Sequence, residues 1–265
     1  MKRMLFRVGV LTTFLCFLSL TDAFAQDFQR SYRLGADGTV SIKNVSGDVK
    51  VQGYNGDAIQ VSAYKEGRDR ELVEIEDKSS GNTVDLGVRY PRECNCNASV
   101  RFEVRVPSNV RYNFNRISTA SGDISLEDVT GRVAVSTASG NVTVSDVSGE
   151  ISASSASGNV RVGEIRGTVN ASTASGDVNV EIAQLEGAGD MKFSSASGNV
   201  RVRMPSNLDA NVFMSTASGD IETNFPIEIK RPEHGPSSQA RGTLGSGSRT
   251  LRLSSASGDV SLLSR

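Results

Sequence analysis

Histidine occurs once in the 265 residues, at position 234, and cysteine three times, at 16, 94 and 96. A hydroxyl nucleophile needs a base beside it, and His234 stands far from any distinctive serine. No Gly-x-Ser-x-Gly elbow occurs, and Ser62-Ala63-Tyr64-Lys65 lacks the companion motifs of Ser-x-x-Lys enzymes. One histidine also leaves too few partners for a four-ligand zinc site. Charge of one sign is missing too: 29 Lys and Arg face 30 Asp and Glu. That balance argues against nucleic acid or an anionic membrane as the main partner. Beyond the first 25 residues there is no apolar run of bilayer length and no useful helical stripe.

Residues 1–25 read as a secretory signal peptide. Lys2, Arg3 and Arg7 precede an apolar run from Val8 to Leu20, and Ala23-Phe24-Ala25 forms the small-x-small cleavage site. The run is too short for a span, so a membrane anchor is not expected. Cleavage leaves 26 basic against 29 acidic residues, a net charge of −3. The mature chain is expected in the periplasm, at the cell surface or secreted.

What the sequence does contain is a repeat. Ser118-Thr119-Ala120-Ser121-Gly122-Asp123-Ile124 returns at Ser136, Ser154, Ser172, Ser194, Ser215 and Ser254. Gly122, Gly140, Gly158 and Gly176 are 18 residues apart, and Gly131, Gly149 and Gly167 fall midway. Gly198, Gly219 and Gly258 mark the later copies. A fixed period of this size signals stacked coils. Between glycines, β-branched residues alternate with polar ones, as in Val142-Thr143-Val144, which reads as short strands between tight turns.

The fold class is therefore all-β: a single-stranded β-solenoid with two short strands per 18-residue coil, its handedness open. Val142, Val144, Val160 and Val162 are expected to face Ile151, Ala153, Val169 and Ala171 across the core. The turn glycines are expected to hold a backbone that other residues reach only at a cost. Ala120, Ala138, Ala156 and Ala174 are expected to stack in a tight corner. The Asp/Asn residues after each glycine (Asp123, Asn141, Asn159, Asp177) form a column that reads as structural, accepting hydrogen bonds from turn N–H groups. One such oxygen per turn is too few for calcium, so no cofactor and no metal ligands are assigned. A flat hydroxyl face built from Thr119, Thr137, Ser155 and Thr173 lacks the regular Thr pair of ice-binding solenoids.

Three segments follow: the signal peptide, a less regular N-terminal β region at 26–117 for capping and first coils, and the repetitive solenoid at 118–265. A Pro/Gly-rich insertion at 224–248 reads as an exposed loop. Cys94-Asn95-Cys96 offers a disulfide, free or intermolecularly paired thiols, or a metal or redox site.

The Ser-Thr-Ala-Ser-Gly-Asp-Val repeat, with Val104-Arg105-Val106-Pro107 and Val45-Ser46-Gly47-Asp48-Val49 before it, resembles the bacterial "putative adhesin" β-solenoid family over residues 38–265. That is an exported or envelope-associated domain of unknown function, some members being linked to envelope stress responses. The resemblance implies the solenoid fold and, through the family's name, adhesion; it brings no catalytic residues. Two functions are expected: a non-enzymatic adhesin or scaffold that binds an envelope protein or glycan, or a periplasmic stress sensor or regulator with a protein partner. A carbohydrate-active β-helix enzyme fits less well, because such short coils leave no cleft. Oligomeric state is open.

The inward assignment has a direct test. Val160→Asp buries an unpaired charge and should abolish the cooperative unfolding transition, whereas Arg161→Asp should barely shift it. Equal melting temperatures for the two variants would invert the facing of the strands.

Overall fold

The computed structural model describes residues 26–230 and 237–265; residues 1–25, expected to be a signal peptide, and His234 lie outside the described residues. Apart from a 3₁₀ turn at Arg70–Leu72, every regular element described is a strand. The N-terminal part holds β1 (Phe28–Tyr32), β2 (Gly38–Lys43), β3 (Val49–Tyr54), β4 (Ile59–Glu66), β5 (Glu74–Asp77), β6 (Thr83–Arg89) and β7 (Ser99–Pro107). The repeats supply β8 (Arg111–Ser121), β9 (Ile124–Ser139), β10 (Val142–Ser157), β11 (Val160–Ser175), β12 (Val178–Gln184), β13 (Met191–Ser197) and β14 (Val200–Met204). The C-terminal part holds β15 (Ala210–Ser218), β16 (Ile221–Thr223), β17 (Glu228–Lys230), β18 (Ser238–Leu244), β19 (Thr250–Ser257) and β20 (Val260–Ser264).

Coils pair in parallel at the repeat offset, Val142 lying beside Val160 on one side and Ile124 on the other. The expected two short strands per coil are one continuous strand of 16 residues in β9, β10 and β11. The midway turn is a bend inside that strand, where Asp128, Asp146 and Glu164 take φ of 54°, 53° and 53°. Bending lets each long strand serve two sheets. One sheet runs β1-β4-β7-β3-β9-β10-β11-β12-β14-β20-β16. The other runs β5-β6-β2-β8-β9-β10-β11-β13-β19-β15-β18-β17. Their inner side chains form one core, with Val142, Val160, Ile151 and Val169 fully buried. Each such valine contributes about 1.5–3 kcal/mol.

The order of the stack departs from the order of the chain. The last copy, β19 and β20, lies between β13/β14 and β15/β16, so the seventh repeat fills a gap between the fifth and sixth. At the other end, β2/β3 lies between β6/β7 and β8/β9. The expectation of an exposed loop at 224–248 is corrected: β17 and β18 lie within it and add antiparallel to the end of the second sheet. Ala240 and Leu244 are buried there. A solenoid end carries unpaired backbone groups, and this segment covers one as β1, β4 and β5 cover the opposite end.

The corner that carries the repeat phrase is bonded from coil to coil. Gly122 N–H donates to the Ser139 carbonyl (3.0 Å) and Gly140 N–H to that of Ser157 (3.0 Å). The side-chain oxygen of Asp123 accepts from Asn141 N–H at 2.7 Å, Asn141 from Asn159 at 3.0 Å, and Asn159 from Asp177 at 2.8 Å. The hydroxyl column is inside: Thr137 donates to the Gly122 carbonyl (3.1 Å), Ser155 to Gly140 (2.9 Å) and Thr173 to Gly158 (2.8 Å). This overturns the expected alanine corner, for Ala120, Ala138, Ala156 and Ala174 are exposed. Strand alternation forces the swap, since burying Thr137 turns Ala138 outward.

Gly140 shows why the column is glycine. Its φ is 152°, and a Cβ built on it would run into the carbonyl oxygen of Gly122 in the coil before. Gly140→Ala should therefore cost about 2–4 kcal/mol from strain and overpacking. Thermal unfolding should show this as a fall of roughly 10 °C.

Candidate functional site

The solenoid presents two broad faces with side chains in register. On the first sheet, Lys50, Ser125, Thr143, Arg161, Asn179 and Arg201 form one row across successive strands. On the second, Ser136, Ser154, Ser172 and Ser194 do the same. No wide cleft interrupts these faces among the described residues, only shallow depressions. One of about 320 Å³ lies on the first sheet near the N-terminal cap, between Arg30, Lys50, Gln60 and Arg105. Another, of about 270 Å³, lies mid-sheet around Arg161, Gly163, Arg201 and Arg203. A third, of about 510 Å³, sits at the corner where loops 185–190, 205–209 and 245–249 replace the regular bend, beside Asn207, Asp209 and Arg249.

The N-terminal cap concentrates the strongest electrostatics. Asp77 accepts from Arg30 Nη1 at 2.6 Å and from Tyr32 Oη at 2.8 Å, joining β1 to the end of β5. Ser79 N–H adds a third bond at 2.9 Å. Burial works against the Asp77 carboxylate, yet the Ser79 and Tyr32 hydrogen bonds and the Arg30 charge hold its pKa below the ordinary range. Tyr32 is pushed up to about 12, by burial first and then by its bond to Asp77. Asp85 is likewise lowered: desolvation opposes its charge, but bonds from Lys43 and Ser41 outweigh it. On the cap surface, guanidinium groups lie over aromatic rings, Arg101 over Tyr64 at 4.6 Å and Arg105 over Tyr54 at 4.7 Å.

Cys94 and Cys96 are joined as a disulfide, their Cα atoms 5.1 Å apart. The loop is anchored by Asn97 N–H to Asp69 (2.7 Å) and by Tyr90 Oη to the Ala98 carbonyl (3.0 Å). Cys96 and Asn97 line a depression of about 310 Å³ with Ser46, Glu66 and Ser99. The glycines Gly122, Gly140, Gly158, Gly176, Gly198, Gly219 and Gly258 all take positive φ at the bonded corner. Ser62 and Lys65 are three residues apart on β4, an odd offset that turns their side chains to opposite faces. Glu74 and Glu76 on β5 both meet Arg89. Among the described residues, no three His, Cys, Asp or Glu side chains gather as a metal-binding group. Sequence reasoning missed the convergence of Arg161, Arg201 and Arg203. The available signal was that Arg161 and Arg201 each follow the first valine after a turn, Val160 and Val200, and so share a row.

Parallel coils sharing one core, with bonded corners and antiparallel caps, define a β-solenoid. The profile of the Toastrack DUF4097 family matches residues 34–263, and the chain belongs to that family. No curated protein matches the chain. Similar solved structures include a "putative cell adhesion protein" from Clostridium sporogenes, 11% identical, covering 90% of this chain and 99% of that one at a TM-score of 0.31. Others are a "putative adhesin" from Bacteroides fragilis (13% identical, 90% and 96% covered, TM-score 0.37) and one from Parabacteroides distasonis (12%, 88% and 96%, TM-score 0.35). The family match, not these likenesses, places the chain. Among the described residues no helix is long and apolar enough to cross a membrane.

The Asp77 cluster sets a pH dependence. Its folded pKa is depressed, so the stability it adds is present above the ordinary aspartate range and is lost as pH falls through the folded value. Asp77→Asn should melt below wild type at pH 7, and the gap should close as pH drops below about 4. A gap that stays constant down to pH 2 would remove the charge from the argument.

Proposed function

We propose that this is a non-enzymatic exported protein of the cell envelope that works by binding, as an adhesin or scaffold, through the outer faces of its sheets. The observation that carries this reading is the unbroken polar face of the first sheet, where rows of Ser, Thr, Asn, Lys and Arg cross from coil to coil. A surface repeated at strand spacing suits an extended or repeating partner more than a small substrate. The partner is a glycan or another envelope protein, reached in the periplasm, at the cell surface or outside the cell.

The N-terminal cap supports a second reading, that of a sensor or regulator docking one envelope protein. Its Arg101–Tyr64 and Arg105–Tyr54 pairs put on the surface the residue types that protein interfaces favour. Deleting this block is not a clean test, because β6 and β7 are part of the stack. Substituting Tyr54 and Tyr64 by Ser is cleaner.

The purified mature chain should bind intact cells or an immobilised glycan panel saturably, and Tyr54→Ser with Tyr64→Ser should leave that binding unchanged. No saturable binding to either target would remove the adhesin reading. Loss of binding in the tyrosine variant would favour the cap and the regulator.

A further inference from the structure

Gly163 is a glycine that no neighbouring carbonyl demands. Its neighbours in the phrase, Gly158 and Gly167, each have positive φ and would drive a Cβ into the preceding coil. Gly163 lies inside β11 without positive φ, at the register shift between Val162 and Ile165 in the pairing with β12, and a Cβ built on it meets nothing within 4 Å. A glycine there lowers strand stability, because it loses more chain entropy and packs no side chain. Its partner in β10 is Ser145, which shows that the position accepts a side chain. Glycine in a strand marks a bulge or a place where another group approaches the backbone closely; Gly163 sits at a bulge and also leaves its outer face open to such an approach.

What surrounds Gly163 is cationic. The depression of about 270 Å³ over it is rimmed by Arg161, Arg201 and Arg203, with Ser145, Asn179 and Glu181 between them. Arg161 registers with Asn179 and Asn179 with Arg201, so the Cα atoms of the two arginines stand two strands, roughly 10 Å, apart. All three arginines are exposed, and none pairs with a described carboxylate. Glu181, the carboxylate inside the depression, is already engaged by Arg265 Nε at 3.4 Å, and Arg265 also holds Glu164 at 2.7 Å. Three guanidinium groups without an ion pair thus surround an open patch of backbone, with Glu181, in register with Arg203, as the carboxylate among them.

We propose that this depression binds an acidic polysaccharide, one sugar ring seated over Gly163 and its carboxylates paired with Arg161, Arg201 and Arg203. The proposal rests on the surface-binding reading and names its ligand. Guanidinium forks match carboxylate geometry, and the hydroxyl of Ser145 with the amide of Asn179 suits sugar hydroxyls. The volume is below that of an ordinary small-molecule pocket, which favours one ring of a longer chain continuing across the flat sheet. No aromatic side chain lines the depression, so the stacking platform that single-stranded nucleic acid uses is missing.

The test measures binding of the purified mature chain to polygalacturonate, with its fully methyl-esterified form, dextran sulfate and oligothymidylate as further arms. Wild type should bind the acid polymer and not the ester. Gly163→Val should melt at or above the wild-type temperature yet bind at least about tenfold more weakly, and Arg161→Gln and Arg201→Gln should each weaken binding several-fold. Because Gly163→Val keeps the fold and all three arginines, its loss of binding would place the ligand over that residue. Dextran sulfate bound in preference would replace carboxylate by sulfate and overturn the ligand as stated; oligothymidylate bound as tightly would overturn the glycan assignment. Variants that bind like wild type would overturn the site. Wild type that binds cells but not polygalacturonate would sink this ligand and leave the surface-binding reading standing, whereas binding to neither would sink both.

Discussion

The structure depends on how the backbone at one corner of each coil is satisfied by the next coil. The Gly140 N–H donates to Ser157 of the following coil, the Gly140 carbonyl receives the buried Ser155 hydroxyl, and the Asn141 side chain takes the Asn159 N–H. The corner is only partly buried, but each coil covers the backbone groups of the one before, and a buried amide or carbonyl left unpaired costs about 1–3 kcal/mol. Three columns of small polar residues meet that demand at every level. Glycine holds its place because the carbonyl of the coil before already occupies the space of a Cβ.

Such bonding propagates and does not stop by itself, so the ends matter as much as the repeats. Antiparallel strands close both sheets at one end, β1 and β4 on the first and β5 on the second, and the second sheet at the other, β18 and β17, where the first sheet ends in the short parallel β16. In both places the chain lays its cap from a coil that it later separates from its sequence neighbour. One consequence is that β19 and β20, the last strands of the chain, are gripped on both sides. Fraying of that segment would require opening two parallel ladders.

The faces are free to differ from coil to coil because the corners carry the fold. Outward positions tolerate Ser, Thr, Asn, Glu or Arg with little consequence for packing, which is how a repeat of near-identical coils can carry a localised site. The Arg161, Arg201 and Arg203 group was half legible in the sequence: the period puts Arg161 and Arg201 in one row, but their lack of carboxylate partners was not. That depends on Arg265 reaching Glu181 and Glu164 from the far end of the chain. Gly163 was hidden by the abundance of glycine around it. Only the stack separates glycines that a neighbouring carbonyl demands from one that meets no such carbonyl.

The period of 18 and the alternation of valine with polar residues determined, unaided, that the chain is a solenoid and that Val142, Val160, Ile151 and Val169 line its core. Local pattern suffices there because side-chain facing in a strand is a matter of parity. The same parity runs through the corner, where Val133, Val135 and Thr137 alternate inward and Ala138 turns out; the expected alanine corner departed from it, because the carbonyl that makes an inward hydroxyl favourable belongs to another coil. The order of stacking was decided by tertiary structure alone. Copies with the same phrase present the same edges, so nothing local tells the last coil to enter between the fifth and sixth; with β18 on the outer edge of β15, the edge left for β19 is the one facing β13.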